Sequence, residues 1–328
     1  MPFTLSHAAA VLPALRRTGT ARGPLVASAL VAGSFAPDMT YYADSLIPGA
    51  MAFGEVTHAP SGVLTVDVLV TVALFGGWLL VREPLIALLP RAWRSPVHAF
   101  VRGQPQRPRG LCQLLTLAAW FVVSAVLGAT THVVWDAFTH PGRWGTRLVP
   151  GLDQVVGGLP VYTFVQYGTS ALAAAALAWF GWSALRGRGG GTRGGVVSGA
   201  AASGAAAVPV LTVRLRLLLI APVALCVLAG AVHRVVRAHA VQGSTVHWLG
   251  YLPTALFGAG AGLIAGLVLY GVAVRLVHRR TRGTGAARGG VTGQLPRPVS
   301  RPAAPSASPS ASSSGVPSAA GTTESGAE

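Results

Sequence analysis

The sequence predicts an all-α fold: a polytopic integral membrane helix bundle with five spans, a candidate sixth near residues 24–42, and a disordered C-terminal tail. Three observations predict it. Only 10% of the 328 residues are charged, where a soluble domain carries about 25%. Mean hydropathy is +0.55. The 25 basic residues are all arginine and lie between long apolar runs, so the net charge of +16 points to membrane topology and not to nucleic acid as a partner.

The elements follow in chain order. The opening MPFTLSHAAAVLPALRR places its basic pair Arg16-Arg17 after the apolar stretch, the reverse of a cleavable signal peptide, and is read as part of the mature protein. Residues 24–36 are apolar for about a dozen positions before Pro37-Asp38, short of the roughly 20 that a span needs, so a buried, re-entrant or tilted helix competes with a sixth crossing. Runs at 63–81, 111–131, 161–185, 215–233 and 253–274 reach spanning length. Gly258, Gly260, Gly262 and Gly266 in the last run allow close helix contact.

Four regions result: a membrane core over 1–185, a Gly/Ala/Arg-rich linker over 186–210, a two-helix membrane addition over 211–280, and a tail over 281–328. The tail has no aromatic residue and cannot bury enough apolar surface to offset its ordering entropy. Cys112 and Cys226 both sit inside apolar runs and indicate neither a disulfide framework nor a cysteine-based zinc site.

With five crossings, 18 arginines share one side and 7 the other, which assigns the first group and the tail to the cytoplasm. A sixth crossing near 24–42 would move Arg16, Arg17 and Arg22 inside and sharpen the split to 21 against 4. The chain is therefore placed in the cytoplasmic membrane, with membrane lipids as its first partners.

Only seven acidic residues precede the tail, so their positions are informative. In THVVWDAFTH, His132, Asp136 and His140 recur every four residues, each turned only about 40° from the last on a helix. Imidazole and carboxylate one turn apart can ligate one ion, and this N/O set suits zinc, manganese or iron. His140, about 12 Å along the axis from His132 and followed by Pro141, is assigned to a second ion or to the surroundings of the first. Against this stands the ordinary role of an interfacial or helix-capping histidine. Three ionisable groups in register beside hydrocarbon point the other way.

His7 in TLSHAAA, Asp38 in GSFAPDMTYY and His58 in EVTHAP lie on the same side of the membrane and complete the candidate set. Asp67 is expected either to orient a ligating histidine or to make an interhelical hydrogen bond. His233, His239 and His247 read as interfacial residues of a loop, and His98 and His278 as unremarkable members of arginine-rich surroundings. No phosphate-binding glycine loop and no G-x-S-x-G motif occurs.

These segments, from MPFTLSH through GSFAPDMTYY and THVVWDAFTHPGRWG to VYTFVQYGTS, together resemble an uncharacterised family of bacterial multi-pass membrane proteins, a domain of unknown function whose members begin MPFTxSH. That family is in turn distantly similar to membrane-bound metal-dependent hydrolases, whose pattern is an N-terminal His, a Pro-Asp, a Thr-His and a helical His-x-x-x-Asp. The resemblance implies ligand roles for His7, Asp38, His58, His132 and Asp136. Two departures stand out: Met39, Thr40, Tyr41 and Tyr42 follow Pro-Asp where further ligands are common, and Ala59 follows Thr57-His58 where Ser is usual. One ion is therefore expected in place of two.

The functional expectation is a membrane-embedded hydrolase with a divalent metal, zinc first, acting on a lipid or lipid-linked ester or phosphoester at the outer face of the cytoplasmic membrane. Asp38 is expected to complete the ligand shell or to act as general base. The competing reading is a non-catalytic scaffold or transporter component whose His/Asp cluster is structural or relays protons.

Overall fold

A computed structural model describes residues 4–103, 108–189, 213–242 and 251–288. The predicted linker beyond Gly189 and the tail beyond Arg288 lie outside the described residues. Met1–Gly283 form one compact unit; a second, Thr284–Glu328, is described only at its helical start.

The chain opens with a 3-10 helix, Thr4–Ala14, and turns back at an isolated Leu15–Ala21 bridge. It then climbs through α1 (Ala27–Gly33), a 3-10 turn (Ala36–Asp38) and α2 (Met39–Ala43). This answers the open reading of 24–42: the segment is a broken return arm, with α1 only seven residues long. The descending arm covers about 22 Å at the 3-10 rise. Its turn abuts the backbone carbonyl of Phe100, where a Cβ on Gly19 (φ +77°) would lie 1.9 Å from that oxygen. Arg16, Arg17 and Arg22 thus share an end of the bundle with the arginines around Phe100, as in the 21-against-4 count.

Next come a 3-10 turn (Ala50–Phe53), α3 (Gly54–Thr57), α4 (Pro60–Leu64), the long α5 (Val66–Leu88) and the amphipathic α6 (Arg91–Arg102). Then follow α7 (Leu111–Ala137), α8 (Trp144–Leu148), a 3-10 turn (Pro150–Asp153), a hairpin of β1 (Val155–Val156) and β2 (Leu159–Pro160), and α9 (Val161–Gly189). The described chain ends with α10 (Val213–Gln242) and α11 (Tyr251–Arg288).

Five of these helices are long and apolar enough to cross a membrane, each near its expected position: Val66–Leu88, Leu111–Ala137, Val161–Arg186, Arg216–Val241 and Tyr251–Leu276. The first of them passes the charged Arg82-Glu83 at which the apolar run breaks, because the Glu83 carboxylate is met by Arg82 at 2.7 Å and by Arg275 of α11 at 3.4 Å. His233 and His239 belong to α10 and not to a loop, since that helix runs on to Gln242; His247 is outside the described residues. Cys112 and Cys226 are free thiols.

Small residues set how closely the return arm approaches α7. A Cβ on Gly33 would fall 2.4 Å from the Ala125 carbonyl oxygen, and one on Gly128 would fall 2.3 Å from that of Leu30. At its start the Val26 amide donates to Ser124 Oγ (2.9 Å), so α1 and α7 ascend side by side and reach His132 together. In the same way Gly258 of α11 meets Gly230 of α10, a Cβ on Gly258 lying 2.3 Å from the Gly230 carbonyl oxygen.

Candidate metal centre

The return arm delivers Asp38, His58 directly follows α3, and the last turns of α7 carry His132 and Asp136. All four side chains are buried. One ligand atom from each lies within 4.8 Å of every other. His132 Nε2 is 3.4 Å from Asp38 Oδ1 and 3.5 Å from Asp136 Oδ2, and His58 Nε2 is 3.6 Å from Asp136 Oδ2.

The other nitrogen of each ring decides what these contacts are. His132 Nδ1 is 2.7 Å from the Ser34 carbonyl oxygen, and His58 Nδ1 is 2.9 Å from that of Gly54. A carbonyl can only accept, so both rings donate from Nδ1; in the neutral ring, the form that ligates a metal, Nε2 then presents a lone pair toward the two carboxylates. Nε2 of His58 and His132, Oδ1 of Asp38 and Oδ1 of Asp136 have no hydrogen-bond partner. The separations of Nε2 from Asp38 Oδ1 (3.4 Å) and from Asp136 Oδ2 (3.5 and 3.6 Å) exceed the roughly 2.8 Å of a charge-assisted N–H to carboxylate bond. They match two ligands about 2.1 Å from one ion at a tetrahedral angle, which lie about 3.4 Å apart. Buried lone pairs facing carboxylates repel one another unless a cation stands among them. The donor set therefore fits a divalent metal, and the Nδ1–carbonyl bonds are the outer contacts that fix ligand tautomers.

Neighbouring groups hold the carboxylates. The Thr4 hydroxyl donates to Asp38 Oδ2 and accepts from the Tyr42 hydroxyl at 3.0 Å, which leaves Asp38 Oδ1 turned to the cluster. The Thr57 hydroxyl donates to the Pro37 carbonyl (2.8 Å) and ties α3 to the arm.

The two remaining expected ligands sit beside the quartet. His7 is fully buried, stacks on His132 with ring centroids 3.8 Å apart, and brings Nε2 within 3.4 Å of Asp136 Oδ1. His140 does not continue the helical face, because α7 ends at Ala137 and the chain turns before Pro141. Its Nδ1 lies 3.6 Å from Asp136 Oδ2 and 3.3 Å from the Asp136 carbonyl oxygen, and a quarter of its side chain is exposed. Burial lowers the pKa of the His140 ring below its ordinary value, even against the pull of Asp136. Asp67 is completely buried but outside the quartet, and neither of its oxygens has a hydrogen-bond partner.

The family described as Domain of unknown function (DUF4184) matches residues 1–272. The chain belongs to the DUF4184 family. Among curated proteins and among solved structures nothing matches it. The DUF4184 match takes in every residue of the cluster, all of α10 and most of α11.

Sequence reading missed two features of this DUF4184 chain. Thr4 gave no signal, because only the folded arm brings it to Asp38. The second gave none either, since Arg234 falls one residue past the run read as 215–233; in the structure it lies within the span Arg216–Val241, where a cation requires a partner. It is buried and donates to the Tyr41 carbonyl (2.7 Å) and the Ser45 hydroxyl (2.9 Å), with Asp44 Oδ2 at 3.1 Å.

Proposed function

We propose that this protein is an integral membrane hydrolase that holds a divalent metal through Asp38, His58, His132 and Asp136 and cleaves an ester or phosphoester of a lipid or lipid-linked molecule. What supports the reading is the convergence of two imidazoles and two carboxylates in a buried cluster where both Nε2 atoms and Asp38 Oδ1 have no hydrogen-bond partner.

A divalent metal held there, zinc first with manganese or iron suiting the same donors, supplies Lewis acidity: it lowers the pKa of water toward neutrality and polarises an ester or phosphoester oxygen. The chain does the rest. Thr4 and Tyr42 orient Asp38 as a ligand in preference to a general base, since one carboxylate oxygen is committed to the Thr4 hydroxyl. His7 closes the inner wall of the site by stacking on His132. His140 donates from Nδ1 to the Asp136 carbonyl, so its Nε2, 3.4 Å from the Gln166 amide, is the atom placed to take up a proton and pass it to water.

An amphiphilic substrate follows from location. The cluster stands where α5 begins and α7 ends, the level at which headgroups meet a bundle. The arginine asymmetry supports the outer face of the cytoplasmic membrane, with the C-terminal tail inside.

The test is metal content of the detergent-purified protein by inductively coupled plasma mass spectrometry, for wild type and a folded His132→Ala, Asp136→Ala double variant, followed by assay on phospholipid vesicles. Near-stoichiometric metal, lost in the variant together with headgroup or fatty-acid release, is expected. A wild type that is metal-free and cannot be loaded would overturn the reading in favour of a structural cluster in a non-catalytic membrane protein.

A further inference from the structure

A second site lies away from the metal centre and is independent of it. Ser170 of α9 stands 3.5 Å from Ser6, at the level of His7. Trp179 is nine residues further along the helix, about 13 Å toward the other end of the bundle. There the turn after the N-terminal 3-10 helix meets α9, and Leu12, Arg16, Arg17, Arg22, Trp179 and Phe180 line a groove of about 540 Å³.

Its chemistry is two-sided. The Arg17 guanidinium rests 5.1 Å from the centre of the Trp179 ring, and among the described residues no carboxylate comes within ion-pair distance of Arg16, Arg17 or Arg22. Trp179 is 62% exposed on the flank of a membrane-crossing helix, so the apolar floor opens sideways, toward lipid. Trp182 lies one turn on, stacked with Trp93 at 6.4 Å and covered by Arg186 at 4.2 Å, an aromatic and arginine belt of the kind that marks the headgroup level.

We infer that this groove binds one anionic phospholipid. Its phosphate sits on Arg16, Arg17 and Arg22, and an acyl chain lies along Leu12, Trp179 and Phe180. Three exposed guanidiniums without a carboxylate attract an anion, and guanidinium pairs with phosphate oxygens through two parallel hydrogen bonds. The lipid-open apolar floor selects an anion that carries a hydrocarbon chain. A zwitterionic lipid would bring its own cation against the arginines and bind more weakly.

Native mass spectrometry of the full chain in detergent, titrated with phosphatidylglycerol or phosphatidylcholine, tests this. One tightly held phosphatidylglycerol is expected on the wild type, with affinity falling about fivefold for each arginine replaced and about 100-fold in the Arg16→Ala, Arg17→Ala, Arg22→Ala variant. Ala176→Phe, which fills the groove and leaves the arginines in place, should weaken phosphatidylglycerol as well and decides the matter if the triple variant does not fold. Equal binding of the two lipids, or unchanged phosphatidylglycerol affinity in either folded variant, would overturn the site.

Discussion

Thr4 would touch no metal, yet it determines which oxygen of Asp38 the cluster receives. Removing the hydroxyl while keeping the shape, as in Thr4→Val, is expected to leave the fold intact and weaken metal affinity about 10- to 100-fold, as loss of an outer hydrogen bond does at other metal sites. Competition with a chelator would measure it, and wild-type affinity in the variant would show that Asp38 is held by other means. Asp67 predicts the opposite behaviour. A buried carboxyl without hydrogen bonds costs stability, so Asp67→Asn should retain metal and melt at the same or a higher temperature than wild type. A drop of several degrees would reveal a partner. At this scale the members of the buried cluster were legible, because helical spacing links His132 to Asp136 and scarcity makes each acid conspicuous. The carbonyls of Ser34 and Gly54 were not, since backbone groups leave no trace in residue identity.

Among the elements, the long helices were legible because a span must be continuously apolar. The return arm was not: α1 is buried by neighbours and not by its own length. The contact that buries it depends on Gly33 and Gly128, and Gly128→Val would drive a side chain into the Leu30 carbonyl. Destabilisation of about 1–3 kcal/mol is expected, together with metal loss, because the same contact sets the distance from Asp38 to His132. Gly168→Ala on α9 is the contrasting case: nothing lies within 4 Å of the new methyl group. It should gain up to about 1 kcal/mol from helix propensity. Thermal melts of the two variants in one detergent would separate packing from propensity.

On the scale of the molecule, α10 is joined to the end of the return arm through Asp44, which both Arg234 and Arg237 meet. Burial alone would raise this carboxyl. The amides of Met51 and Gly49 and then the guanidiniums of Arg234 and Arg237 outweigh that effect and hold it below its ordinary value of 3.8. The stabilisation is therefore complete above pH 3.8 and is lost as pH falls below that value through the folded-state pKa. Melting temperature against pH should show wild type above Asp44→Asn near neutrality, with the two curves converging below about pH 4. A constant gap would mean that the clamp does not titrate. Nothing in the sequence hinted at such a clamp, because Arg234 falls just past the run read as a span and its partner, nearly 200 positions earlier in the chain, could not be found by spacing.

The arm from Thr4 to Asp38 is made first but has nothing to rest on until much later. Its descending half packs mainly on α9 and its ascending half on α7, neither of which exists when residue 38 leaves the ribosome. With only seven residues in α1, the arm is also too short in apolar length to be accepted by the insertion machinery as a span of its own. The first segment translated therefore gains its packing partners only once α7 and then α9 have been made. A metal held by the quartet would need Asp38 beside His132, and a nascent chain stalled before α9 would carry all four residues while the descending half of the arm still lacked the helix on which it packs.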